Sequence, residues 1–135
     1  MDDLSSTLRT LRRQGYSVKR ARSGHWHVRN SRGRLVAVSI CDEAPRAWSL
    51  VYFFFDPAYA DRSLGVANVV LGVEIAAARG IPYVYLGYAV EGCPSLAYKR
   101  AVGPREELVG WPRLDERPQW VRAGQAGCDQ STGEM

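Results

Sequence analysis

The sequence predicts an α/β domain with a mixed sheet, in which antiparallel N-terminal strands lead into a βαβ unit. The first observation is an apolar, aromatic run at Ser49–Phe55, which has the composition of a strand and ends at Asp56. The second is a helical pattern over Ser63–Arg79, and the third is a strand pattern at Pro82–Tyr88. Because strand, crossover helix and strand form a βαβ unit, the two strands are expected to be parallel.

A short amphipathic helix is predicted at the N-terminus. Leu4, Leu8 and Leu11 recur at helical spacing, and Gly15 follows where a glycine commonly ends a helix. Two acidic residues precede the pattern, which suits the positive end of a helix dipole.

Three short strand patterns follow this helix. They are expected at Tyr16–Val18, Trp26–Val28 and Leu35–Cys41, and a hairpin turn at 31–33 joins the last two. A turn at 42–47 then leads into the aromatic strand. The N-terminal part of the sheet is therefore predicted to be an antiparallel meander.

The aromatic strand is predicted to lie in the centre of the sheet. Phe53, Phe54 and Phe55 point alternately to its two faces, so both faces are expected to be covered. The crossover helix is expected to pack across the sheet through a stripe of residues at spacings of three and four. The members of this stripe are Val66, Val69, Val70, Val73 and Ala77.

Length and composition predict one domain. A chain of 135 residues with 46% hydrophobic residues fits a single core, which is expected over 1–121. Residues 122–135 are polar and rich in glycine, so they are expected to form a disordered tail. With no long apolar run and an acidic, polar N-terminus, neither a membrane span nor a signal peptide is predicted, and a cytoplasmic location is expected. The three cysteines lie far apart, so neither a disulfide framework nor a metal site is predicted.

Charge is distributed unevenly along the chain. The net charge is +4, and the stretch from Arg9 to Arg34 holds nine basic residues and no acidic one. Such a stretch attracts polyanions, although an ordinary solvated face is the alternative. The candidate contacts for such a polyanion are Arg12, Arg20 and Arg22.

Gly65 stands where the crossover helix opens, and the free N–H groups at a helix start can bind an anion. A glycine needed only for packing is the alternative. The spacing Arg62-x-x-Gly65-x-Ala67 is similar to the pyrophosphate loop of coenzyme-A-dependent N-acyltransferases with the GNAT fold. That resemblance implies a coenzyme-A-dependent acyltransferase as one possible function.

A wider set of short blocks, in one order and at fitting separations, spans roughly residues 22–115. The blocks are Gly24–His27, Gly33–Val38, Phe55–Pro57, Ser63–Val66, Glu74–Ala76, Pro82–Tyr88, Gly92–Pro94 and Tyr98–Lys99. Together they resemble the C-terminal half of protein aminoacyltransferases, namely the arginyltransferases and the bacterial aspartate/glutamate leucyltransferases. The N-terminal cysteine-cluster domain of that family has no counterpart in this sequence.

This resemblance implies a GNAT-like fold and an enzyme that moves an arginine- or leucine-type amino acid from aminoacyl-tRNA to a free amine. The acceptor would be a peptide, a protein N-terminus or a small molecule, with charged tRNA as co-substrate and no other cofactor. The resemblance also implies that this tRNA is the polyanion that Arg12, Arg20 and Arg22 would contact. Two departures bear on the substrate: Ala58 replaces a usual acidic residue, and Ser95-Leu96 replaces a usual Lys-Met. A catalytically inactive tRNA-binding relative is therefore a further alternative.

In the GNAT fold the two parallel strands splay apart, and the acyl donor lies in the wedge between them. Aminoacyl transfer needs an unprotonated amine, a stabilised oxyanion and a proton for the departing ribose oxygen. Asp56 could orient or deprotonate the amine, or it could simply cap the next turn. Tyr98 resembles the GNAT tyrosine that protonates a leaving group, and Tyr85 is the third catalytic candidate.

The remaining candidates are expected to hold the substrate. His27 could carry a proton near neutral pH, although a structural strand histidine is the alternative. Lys99 could hold a phosphate, or it could be an ordinary surface lysine. The full substrate-binding set is Arg62, Ser63, Leu64, Gly65, Tyr88, Lys99 and His27.

Overall fold

A computed structural model of the chain describes residues 2–87, 98–99 and 102–123, with side chains from Ser5 onward. The chain divides into two compact units, residues 1–101 and residues 102–135. The first, called the N-terminal unit, contains the predicted helices and strands. The prediction of one domain over 1–121 stays a prediction, and residues 124–135 of the predicted tail lie outside the described residues.

The N-terminal unit is a five-stranded mixed sheet with two α-helices. Its elements in chain order are α1 (Asp2–Arg13), β1 (Ser17–Arg20), β2 (Trp26–Arg29), β3 (Leu35–Glu43), β4 (Ala47–Phe55), a 3₁₀ helix (Pro57–Arg62), α2 (Leu64–Ala78) and β5 (Tyr83–Tyr85). The strands lie side by side in the order β1-β2-β3-β4-β5. The first four are antiparallel neighbours and β5 is parallel to β4, so the predicted GNAT-like α/β fold is confirmed.

Gly15 ends α1 as predicted, and the position can hold no other residue without strain. Its φ of +87° lies in the left-handed region that glycine tolerates best. A Cβ atom at this position would also come within 2.8 Å of the Cβ atom of Ser31. The turn after α1 therefore lies directly against the hairpin between β2 and β3.

The core lies between the helices and one face of the sheet. Val70 of α2 is completely buried, while Ala77, which was predicted to be buried, is exposed. Helix α2 contacts α1 as well as β4 and β5, so its buried side includes Leu64, Ala67 and Ala76. The core cluster consists of Leu8, Leu11, Val36, Ala37, Leu64, Ala67 and Val70.

A β-bulge interrupts β4. Tyr52 pairs with Ile40 and Leu50 pairs with Cys41, so Val51 is an extra residue with no partner on β3. The strand nevertheless keeps one set of side chains on the helix-covered face. These are Trp48 and Leu50 before the bulge and Phe53 and Phe55 after it.

The opposite face of β4 is open to solvent. Tyr52 and Phe54 have 63% and 50% of their surface exposed, and their ring centroids lie 6.2 Å apart. The prediction that both faces of this strand are covered is wrong for this face. The physical reason is that α1 and α2 pack against each other, and α2 packs on the face of β4 that carries Trp48 and Leu50.

The second unit contains an antiparallel pair, β6 (Glu106–Leu108) and β7 (Trp120–Arg122). Glu107 of this pair also lies 3.3 Å from the guanidinium of Arg105. In the described part of the chain, no helix combines the length and apolar character that a membrane crossing requires.

We expect Val70→Ala to lower the free energy of unfolding by about 2 kcal/mol, because it removes buried methyl groups and leaves a void. Val51→Ala is the matched control, since Val51 is half exposed and should cost less than about 1 kcal/mol. Urea unfolding followed by circular dichroism measures both. Equal losses in the two variants would contradict the assigned core.

Candidate active site at the carboxyl edge of the sheet

The short strand β5 runs beside only the first part of β4. Residues Tyr83–Tyr85 of β5 pair only with Ala47–Ser49, the first three residues of β4. From Leu50 to Phe55, β4 has no strand partner on the β5 side within the described residues. The GNAT resemblance implies a wedge on this side of β4, toward the carboxyl ends of the two strands, and the described residues leave that side of β4 without a strand.

The N-terminus of α2 lies beyond this end of β4. Ser63 precedes the helix with φ 54° and ψ 40°, which makes it the one described non-glycine residue with a positive φ. Its side chain makes no capping hydrogen bond to α2. The first N–H groups of the helix, those of Leu64 and Gly65, therefore receive no cap from Ser63 and point out of the helix.

Tyr98 and Lys99 connect this helix end to β5. A Cβ atom at Gly65 would lie 4.0 Å from the hydroxyl oxygen of Tyr98, and one at Gly87 would lie 3.9 Å from Nζ of Lys99. Because Tyr98 and Lys99 are consecutive in the sequence, the N-terminus of α2 and the carboxyl end of β5 lie at one edge of the sheet. The predicted residues Gly65, Tyr98 and Lys99 are thus brought together.

Burial changes the acidity of both side chains. It raises the pKa of the Tyr98 phenol above its ordinary value, and it lowers the pKa of the Lys99 ammonium. The phenol therefore keeps its proton at neutral pH. A protonated hydroxyl next to a helix N-terminus can donate a hydrogen bond or a proton to an oxygen atom bound there.

Asp56 is held by two interactions. One carboxylate oxygen accepts a hydrogen bond from the backbone N–H of Ala58 at 2.9 Å, which caps the 3₁₀ helix. The other accepts from Arg34 at 3.0 Å. The alternative of a turn cap is therefore what the structure shows, and a catalytic part for Asp56 stays a proposal.

Sequence reasoning missed the residues that fix this corner. Nδ2 of Asn30 donates to the hydroxyl of Tyr59 at 2.9 Å, and the Tyr59 ring meets Tyr16 edge to face at 6.4 Å between centroids. Together with the Arg34–Asp56 ion pair, these contacts brace the 3₁₀ helix against the hairpin between β2 and β3. The turn formed by Asn30 and Gly33 was visible in the sequence, but its contacts across the fold were not.

The other substrate-binding candidates lie in different surroundings. Leu64 is buried in the core, so only its backbone could meet a ligand. Arg62 is exposed and lies 3.6 Å from Asp61. His27 lies on β2 between Lys19 and Val38, and Tyr85 pairs with Ser49. Tyr88 lies outside the described residues.

Two of the three tRNA candidates form ion pairs within the chain. Arg12 lies 3.7 Å from Glu74 of α2, whereas Arg20 pairs with Glu43 and stacks 4.9 Å over the Trp26 ring. Such exposed ion pairs stabilise a fold little and leave the cations accessible. The part of these arginines in tRNA binding stays a proposal.

Comparison with known proteins decides the family. A family model described as the C terminus of arginine-tRNA-protein transferase matches residues 6–109, more than half of the chain. The chain belongs to this family. The resemblance seen in the sequence is thereby confirmed.

Curated relatives in this family are aspartate/glutamate leucyltransferases. That of Aeromonas hydrophila is 42% identical over 88 residues, which cover 64% of this chain and 37% of the relative. That of Sinorhizobium medicae is 42% identical over 85 residues, covering 62% and 33%. That of Nitrobacter winogradskyi is 39% identical over 100 residues, covering 73% and 39%. The chain thus spans little more than a third of the length of the relatives it matches.

We expect Gly65→Ala to fold normally, because its Cβ atom would make only ordinary contact with Tyr98 and alanine favours the helix. Gly65→Leu should weaken binding of an aminoacyl-tRNA more than it lowers the melting temperature, since the larger side chain covers the helix N-terminus. Thermal unfolding and fluorescence binding with a non-hydrolysable aminoacyl-tRNA analogue measure the two effects. Parallel losses of stability and binding would show that Gly65 serves packing alone.

Proposed function

We propose that the chain is an aminoacyltransferase that moves an amino acid from aminoacyl-tRNA to a free amine. The observation that carries this proposal is the position of Tyr98 beside the N-terminus of α2, at the open end of the wedge, in a chain of this family. The proposed acceptor is the α-amine of a peptide, a protein N-terminus or a small molecule. Charged tRNA is the proposed co-substrate, with no further cofactor.

The proposed reaction needs no covalent intermediate. The nitrogen of the amine attacks the ester carbonyl, a C–N bond forms, and the C–O bond to the ribose breaks. Burial raises the pKa of Cys41, which argues against a thiolate nucleophile among the described residues. The geometry instead supports catalysis by positioning and by proton transfer.

Tyr98 is the proposed proton donor. Its phenol stays protonated at neutral pH, so it can give a proton to the ribose oxygen as the ester bond breaks. The uncapped N–H groups at the start of α2 would stabilise the oxyanion or a phosphate of the tRNA end. Lys99, next to Tyr98, would contribute a positive charge to the same anion.

Asp56 is the proposed orienting group for the amine. Its two hydrogen bonds leave further acceptor positions on the carboxylate, and it stands where β4 ends. Tyr85 lies on β5 at the point where the two strands separate, and there it would contact the aminoacyl group. The proton of the attacking amine would pass to Asp56 or to solvent.

A leucine-type donor is supported by the names of the curated relatives. A mainly apolar cavity of about 290 Å³ lies between the helices and the sheet, but Asp56, Tyr85 and Tyr98 do not line it, so the proposed donor rests on the relatives' names alone.

Incubation with a pool of charged tRNAs and candidate amines, followed by mass spectrometry, tests the proposal. A single added aminoacyl residue is the expected product. Thermal protection by charged tRNA and not by coenzyme A would separate this function from that of a coenzyme-A-dependent acyltransferase. Protection by charged tRNA without any transfer would identify an inactive tRNA-binding relative.

We expect Tyr98→Phe to slow transfer by about 100-fold, because the leaving oxygen loses its proton donor. The wild-type rate should fall at low pH, where the acceptor amine is protonated, and again at alkaline pH, above the raised pKa of Tyr98, whereas the variant should lack the alkaline fall. Single-turnover rates across pH measure both effects. Tyr83→Phe is the control on an exposed tyrosine of β5. An unchanged rate and pH profile in Tyr98→Phe would rule out the proton-donor role.

A further inference from the structure

The sheet face turned away from the helices carries a continuous row of side chains. Lys19 of β1 is paired with His27 of β2, His27 with Val38 of β3, and Val38 with Phe54 of β4. Paired residues of neighbouring strands point to the same face. Ile40 and Tyr52 form the next row. We call the six residues of these two rows the aromatic sheet face: Lys19, His27, Val38, Phe54, Ile40 and Tyr52.

The aromatic rings on this face are exposed. Tyr52 and Phe54 expose half or more of their surface, and Tyr83 of β5 is 53% exposed on the same side. Single exposed apolar residues are ordinary, but a contiguous exposed patch usually marks a binding surface. The aromatic sheet face is therefore a candidate contact surface.

Positive charge lies on the same sheet face, at the β1 end of the row that ends in Phe54. Lys19 is exposed and makes no ion pair within the described residues, while Arg29 on the adjacent strand bonds a carbonyl oxygen and keeps its charge unpaired. Arg20, on the opposite face, is by contrast neutralised by Glu43. Asp42 is the acidic residue of β3 on this face. It pairs with Ser49, and this pair lies two positions along the strands from the pair of Ile40 and Tyr52.

Exposed rings and unpaired cations on one sheet face favour one kind of partner. Unpaired bases stack on aromatic side chains while lysine and arginine hold the neighbouring phosphates, and a flat sheet face suits this mode. A nucleic acid duplex keeps its bases inside, so it could use the cations but not the rings. The chemistry of this face thus matches a single strand.

The face also adjoins the candidate active site. Tyr52 and Phe54 belong to the part of β4 that has no β5 partner within the described residues, so they stand beside the wedge. We propose that the aromatic sheet face binds the single-stranded 3′ end of the donor RNA through base stacking on Tyr52 and Phe54 and phosphate contacts with Lys19. This inference rests on the proposed function, because it is the donor RNA that must bring its ester to the wedge.

Binding of uncharged RNA tests the inference without any transfer chemistry. A fluorescent single-stranded oligoribonucleotide that ends in CCA and its fully paired duplex are titrated with the whole chain at several salt concentrations. Tighter binding of the single strand is expected. Tyr52→Leu and Phe54→Leu should each weaken it by about 5-fold to 100-fold, because leucine keeps the apolar surface but loses the stacking face.

Two matched controls separate this face from the rest of the molecule. Lys19→Gln should flatten the dependence of log affinity on log salt by about 0.7, as expected for one phosphate contact on a single strand, whereas Arg9→Gln on α1 should leave it unchanged. Phe55→Leu, on the opposite face of β4, should bind the oligoribonucleotide like the wild type. Circular dichroism confirms that each variant is folded.

Three outcomes that need no transfer chemistry would overturn the inference. They are equal affinity for single strand and duplex, wild-type affinity in both leucine variants, and a concentration-dependent dimer that Tyr52→Glu dissociates. The last would show that this face contacts a second copy of the chain. Normal RNA binding without aminoacyl transfer would refute the proposed function alone, while transfer that is insensitive to Tyr52→Leu and Phe54→Leu would refute only this inference.

Discussion

Strand β4 pairs with an antiparallel neighbour, β3, on one side and with a parallel neighbour, β5, on the other, and the rest of the structure depends on this arrangement. Strand β3 pairs with nearly the whole length of β4, whereas β5 pairs only with the first three residues of β4. The second half of β4 is therefore held from one side within the described residues. Asp56 and the start of α2 follow this strand in the chain, and Tyr98 lies beside the first turn of α2, so the end of β4 sets where these proposed groups stand.

Much of the fold could be predicted because its signals are local. Helical spacing located α1 and α2, and turn residues separated the strands within a few positions. Strand ends were less certain, since pairing decides them: β3 extends two residues past Cys41, and β5 is shorter than Pro82–Tyr88. The exposure of Phe54 was missed for a similar reason. Alternation shows which residues share a face, but coverage of that face depends on distant elements.

The site was predictable where it resembled a known pattern. Gly65 and Tyr98 were found through family blocks, and the structure places them together. The ion pair of Arg34 with Asp56 joins residues 22 positions apart, so no local pattern announces it. The same limit applies to the basic stretch: Arg12, Arg20 and Arg34 have carboxylate partners in Glu74, Glu43 and Asp56, which all lie outside that stretch.

The extra residue Val51 changes the bend and twist of β4 without changing which side chains of the strand face the helices. A bulge counts as one position in the alternation, so a chain without Val51 would keep Trp48, Leu50, Phe53 and Phe55 on one face. The bend and added twist that a bulge gives to its strand would nevertheless disappear. This single inserted residue thus alters the course of β4 while leaving the side-chain pattern of the sheet unchanged.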